Sequence, residues 1–136
     1  MNLTPLVAGP VLGLAVGVFG TGTGLDRDRA YYPVVAVVVA SYYALFAAMG
    51  ASTETVVIES LIGVVFVAAA VVGFKRSLWI VAATLAAHGL FDFGHGAVLS
   101  NPGKPVWWPP FCATIDVTMA GYLAWLLKSG RLRAAP

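Results

Sequence analysis

His88, Asp92 and His95 fall in the stretch His88-Gly-Leu-Phe-Asp-Phe-Gly-His95, inside an apolar run long enough to cross a bilayer. Their spacing of i, i+4, i+7 places all three on one side of a helix, within an arc of roughly 60°. Two imidazoles and a carboxylate on one face can bind Zn²⁺ or another divalent ion. Without an ion, the same groups can carry protons or exchange them with an apolar substrate. They can also hydrogen-bond to neighbouring helices and tie a bundle together. The spacing is not that of the H-E-x-x-H zinc motif. Ionisable groups are costly in hydrocarbon and usually face a bundle interior or a water-filled cavity, so this face marks a candidate site.

Two further acids, Glu59 and Asp116, lie inside apolar runs. The candidate catalytic set is His88, Asp92, Glu59 and Asp116. The candidate metal set is His88, Asp92 and His95, with Glu59 or Asp116 completing the shell or serving as general base. Cys112 precedes Asp116 by four residues and shares its helical face. A lone cysteine there reads first as a small buried packing residue, and second as a soft ligand or nucleophile. Tyr42 and Tyr43 read as chamber-lining or interfacial in equal measure.

Five apolar runs must position these residues: Leu3–Gly20, Ala30–Gly50, Thr55–Phe74, Leu78–Val98 and Pro109–Leu127. Each is long enough for a hydrocarbon core of about 30 Å. Of the 136 residues, 60% are hydrophobic and 10% charged, against about 25% charged in a soluble domain. Mean hydropathy is +0.87. These features predict one all-α integral membrane domain over residues 1–136, a bundle of five transmembrane helices. The first run lacks a basic leader and an A-x-A site, so it reads as a retained helix and not a signal peptide. The single cysteine rules out an intrachain disulfide and a multi-thiolate zinc cluster. The net charge of +2, with basic residues scattered among short loops, argues against a nucleic-acid partner.

The basic residues predict direction. Arg27, Arg29, Lys75, Arg76, Lys128, Arg131 and Arg133 fall on one side of the five runs, and Lys104 on the other. The positive-inside rule then puts the N-terminus outside and the C-terminus in the cytoplasm. Trp107 and Trp108 would form the outer aromatic belt, and Tyr31, Tyr32, Trp79 and Trp125 the inner one. At about 1.5 Å per residue, Glu59, Asp92 and Asp116 all lie roughly 6–10 Å below the outer helix ends. Their common depth suggests one polar chamber in the outer leaflet, capped by the proline-stiffened loop Asn101–Pro110.

Gly9, Gly13 and Gly17 form a G-x-x-x-G-x-x-x-G stripe, a close-packing signal within the bundle or between protomers of a homo-oligomer. Gly20–Gly24 does not match a nucleotide-binding fingerprint. Asp26-Arg-Asp-Arg29 reads as a self-paired, solvated turn, with a lipid head-group contact as the alternative.

The blocks Asp26–Pro33, Ser41–Phe46, His88–His95 and Asn101–Asp116 together resemble a family of small bacterial integral membrane proteins known as a domain of unknown function. The resemblance spans the chain from Asp26 onward. It implies a stand-alone multi-span protein of the bacterial inner membrane and carries no reaction with it. From the residues, three roles are expected: a membrane enzyme acting on a lipid-like or small apolar substrate, a small transporter or proton- or metal-binding subunit, or a structural membrane protein.

Overall fold

A computed structural model describes residues 3–136. Five helices follow in order: α1 (Thr4–Thr23), α2 (Tyr31–Gly50), α3 (Thr53–Arg76), α4 (Leu78–Val98) and α5 (Trp108–Lys128), with a 3-10 turn at Leu25–Arg27. No strand occurs among the described residues. By length and composition, α1, α2, α3 and α5 can each cross a membrane. α4 has 21 residues but falls short of that apolarity, as a helix carrying His88, Asp92 and His95 would.

The helix ends follow local chemistry. Ser52 caps α3 by accepting from the Thr55 amide at 3.2 Å, and Ser77 caps α4 by accepting from the Trp79 amide at 3.3 Å. Pro109 and Pro110 occupy the first turn of α5, where a missing N–H costs little. α1 ends at Gly24, whose φ of 78° is the left-handed cap that glycine adopts freely.

α4 lies at the centre, packed most extensively on α5 and also on α3 and α2, while α1 packs on the far side of α5. Its buried face includes Leu78, Val81, Leu85, His88, Asp92 and His95. The polar triplet thus continues the apolar stripe that faces the bundle interior. The outside is clad in exposed Val, Leu, Phe and Met side chains, such as Val11, Val18, Val65 and Leu90. A continuous apolar exterior of this kind suits lipid and not water.

The glycine stripe of α1 is spent within the chain. Gly9, Gly13 and Gly17 are buried against Thr114, Thr118 and Tyr122 of α5. Of the two contacts expected for this stripe, within the bundle or between protomers, the structure shows the first, with α5 seated on the glycines. Two aromatic expectations also change. Tyr32 is buried instead of interfacial, and Trp108 is half-buried, its ring tilted against Tyr42 (4.8 Å between centroids) and edge-on to Phe46 (4.9 Å).

Candidate functional site

The polar face of α4 resolves into two groups that different helices complete. In the first, His88 Nδ1 donates to Asp116 Oδ2 at 2.6 Å, linking α4 to α5. Gly89 makes this short link feasible. A methyl group at Gly89 would sit 2.9 Å from the Ala113 carbonyl and 3.2 Å from Asp116 Cβ, so only glycine lets the α5 backbone come this close. Asp92 lies beside the pair, its Oδ2 3.6 Å from His88 Nδ1. Cys112, one turn before Asp116, places its sulfur 4.0 Å from Asp116 Oδ2. One ligand atom from each of His88, Asp92, Cys112 and Asp116 fits within a mutual separation of 4.8 Å, and all four residues are buried.

This group is not satisfied by protein alone. Both carboxylate oxygens of Asp92 and Oδ1 of Asp116 are buried without a hydrogen-bond partner. The nearby imidazole proton is already taken by Asp116. A buried polar atom without a partner costs about 1–3 kcal/mol, and more when charged. Three such oxygens from two carboxylates are crowded beside one imidazole, one thiol and the Tyr43 hydroxyl, which is itself buried without a partner. A neutral hydroxyl does not offset two adjacent buried carboxylates, and the group suits an additional proton, water or cation.

The second group is a clasp of hydrogen bonds between helices. Glu59 Oε1 accepts from His95 Nε2 at 2.8 Å and from Asn101 Nδ2 at 3.0 Å. Asn101 Nδ2 also donates to the Tyr43 carbonyl at 3.0 Å, and Asn101 Oδ1 accepts from the Gly103 amide at 3.2 Å. The His95 ring stacks on Tyr43, with centroids 3.9 Å apart and planes 6° from parallel, while Phe91 meets it edge-on. The clasp joins α2, α3, α4 and the proline loop. Glu59 Oε2 and His95 Nδ1 remain buried without partners.

The predicted residues are thus all interior, but His95 and Glu59 stand apart from the group around His88 and Asp92 and pair with each other. Cys112 and Asp116 join His88 and Asp92 in their place. Asn101 had no reading of its own beyond the loop; the signal was an asparagine at the start of a proline-rich loop, where a backbone-tethering amide is common. Tyr43 resolves as a wall of the site. Tyr42 instead lines an apolar cleft.

That cleft, of about 410 Å³, opens between α1 and α2 and is floored by α5. Leu12 and Val16, Val35 and Tyr42, and Cys112 and Met119 are among its lining residues. Cys112 therefore belongs both to the cleft wall and to the buried polar group. The chain matches no family model, and no curated protein or solved structure matches it either.

Proposed function

We propose that this chain is a five-span membrane protein, N-terminus outside and C-terminus cytoplasmic, that holds one divalent ion between His88, Asp92, Cys112 and Asp116 and acts on a lipid-like or small apolar substrate. α4 is the fifth span in this reading, its polar face shielded by α2, α3 and α5. The observation that carries the reading is the pair of unpartnered Asp92 oxygens beside Asp116, His88 and Cys112. A divalent ion neutralises both carboxylates at once, which no arrangement of the neighbouring protein atoms does.

The donor set suits Zn²⁺ or a similar first-row ion: one imidazole, two carboxylates and one sulfur. Tetrahedral ligands at about 2.0–2.3 Å from zinc stand roughly 3.3–3.8 Å from one another. Adjustments of about 1 Å bring the present atoms to that spacing, with His88 and Asp116 parting and the longest separation closing. A bound ion would supply a Lewis acid able to polarise a carbonyl or phosphoryl oxygen, with the substrate entering as a fifth ligand to the shell held by these residues. The residues of this chain hold it, exclude water and, through the clasp of Glu59, His95 and Asn101, keep α4 from rotating its ligands away.

The apolar cleft supports the substrate class. It faces the lipid side between α1 and α2 and reaches the polar group at Cys112. Transport is less well supported, because the buried ionisable side chains of α3, α4 and α5 lie in the half of the bundle nearer the proline loop, while Lys75, Arg76 and Lys128 sit at the opposite helix ends. The family resemblance points to the bacterial inner membrane as its location.

A second reading is favoured by the bonds themselves. His88–Asp116 and His95–Glu59 each join two helices, and a purely interhelical clamp would use them in this way. Elemental analysis of protein purified without chelator separates the two. The metal reading expects about one ion per chain, lost in His88→Ala and Asp92→Asn while both variants stay folded. Metal-free wild type whose stability, and not composition, responds to these substitutions would favour the clamp.

A further inference from the structure

At the opposite end of the bundle from the polar group, residues distant in sequence enclose a second pocket, of about 280 Å³. Arg27 and Arg29 come from the α1–α2 connection, and Arg131 and Arg133 from the segment after α5. Leu78, the buried first residue of α4, lines it as well. Basic residues scattered in the sequence thus converge in space. Asp26-Arg-Asp-Arg29 is not the self-paired turn expected. Asp26 is buried and accepts from Thr21 Oγ1 at 2.6 Å, and Asp28 Oδ1 accepts from the Ala30 amide at 3.2 Å. Among the described residues, the only ion pairs within 4.0 Å involve histidine, so none of the four guanidinium groups has a carboxylate that close.

The pocket is built and not a chance gathering of long side chains. Arg29 donates to the carbonyls of Ala134 and Phe74, each at 2.9 Å, and of Arg133 at 3.2 Å. The Leu78 amide at the start of α4 donates to the Ala134 carbonyl at 2.8 Å. Together these bonds fold the segment after α5 back over the ends of α3 and α4. Arg131 lies over the Trp125 ring, 4.6 Å from its centroid. That arrangement fixes a guanidinium beside an exposed tryptophan at the apolar–polar boundary of the bundle. Arg29 is occupied as a strut, whereas Arg27 and Arg133 are exposed and carry no carboxylate partner.

We propose that this pocket binds the phosphate of an anionic phospholipid, seated where α1, α2 and α5 meet the cytoplasmic face. Guanidinium forks match phosphate oxygens, and four arginines line the pocket against a single acidic side chain, the buried Asp26. Its place at the helix ends, beside the exposed apolar surface of the bundle, puts a headgroup there while its acyl chains run along the helices. A lipid held in this way would lock the segment after α5 onto α4. This site does not depend on the metal reading, since it shares no residue with the metal group.

The test is native mass spectrometry of the full chain released from neutral detergent, titrated with phosphatidylglycerol or phosphatidylcholine. The expected result is a retained phosphatidylglycerol adduct, with phosphatidylcholine bound at least tenfold more weakly. Arg27→Gln/Arg133→Gln should weaken phosphatidylglycerol binding by about 30-fold, given roughly 1 kcal/mol for each guanidinium. Lys75→Gln, on the same side but outside the pocket, should leave it unchanged. Unaltered thermal unfolding of the lipid-free double variant would establish that it is folded. Equal retention of the two lipids, or undiminished phosphatidylglycerol binding in the double variant, would overturn the proposal. Inorganic phosphate displacing phosphatidylglycerol at equal concentration would also overturn it, by assigning the pocket to a free anion.

Discussion

Gly9→Ala should loosen the bundle, because α1 and α5 meet with no room for a methyl group. A Cβ at Gly9 would fall 2.6 Å from the Phe111 carbonyl oxygen and collide with the Thr114 hydroxyl. The first obstacle is backbone, so it cannot swing aside, and α1 must move outward. Thr114 is also fixed, since its hydroxyl donates to the Pro110 and Phe111 carbonyls. Overpacking against such an obstacle costs about 1–3 kcal/mol, enough to lower the folded-to-unfolded ratio roughly 5- to 150-fold. At Gly17 the obstacle is the Tyr122 ring, 2.6 Å away, a side chain that can turn at the cost of its contact with Thr21. Gly17→Ala should therefore be milder. Gly121→Ala, with nothing within 4 Å, is the control and should be neutral or stabilising by up to about 1 kcal/mol. Reversible unfolding in mixed micelles, followed by tryptophan fluorescence, gives the three free energies. If Gly9→Ala matches Gly121→Ala, α1 does not pack on α5 as described, and the cleft between α1, α2 and α5 is wrongly drawn.

Other outcomes follow from the same structure. Asn101→Ala removes the donor shared by Glu59 and the Tyr43 carbonyl, and should cost about 1–3 kcal/mol in the same unfolding assay without changing metal content. Loss of metal in that variant would mean the clasp and the metal group are one site. Cys112→Ser keeps the size of the side chain but exchanges a soft donor for a hard one; equilibrium dialysis against zinc should find weaker retention, and unchanged affinity would remove sulfur from the ligand set. A periplasmic reporter fused to the C-terminus should be inactive, given seven of eight basic residues on that side; strong activity would invert the orientation.

The helices were legible because hydrophobic runs bounded by Gly, Pro and charge leave little choice in a chain this apolar. The inward turn of His88, Asp92 and His95 was legible for the same reason, since hydrocarbon penalises the alternative. The partnering was not. Depth placed Glu59 level with Asp92, but rotation about the α3 axis decides whether it meets Asp92 or His95, and no residue count fixes rotation. Asp116 and Cys112 reach His88 because Gly89 admits the α5 backbone, a cross-helix effect invisible in either helix alone. The arginine pocket was hidden for a similar reason: Arg29 and Arg133 are joined through backbone carbonyls, and such bonds leave no pattern in side-chain types.

The central claim is the ligand set itself, and X-ray absorption at the zinc edge of zinc-loaded protein tests it most directly. The account predicts one sulfur at about 2.3 Å and three nitrogen or oxygen ligands at about 2.0–2.2 Å, with a single imidazole in the outer-shell scattering. The spectrum should be unchanged in His95→Ala and should lose its sulfur in Cys112→Ser. A sulfur-free shell, or one with two imidazoles that loses one in His95→Ala, would contradict the assignment of His88, Asp92, Cys112 and Asp116 as the metal centre.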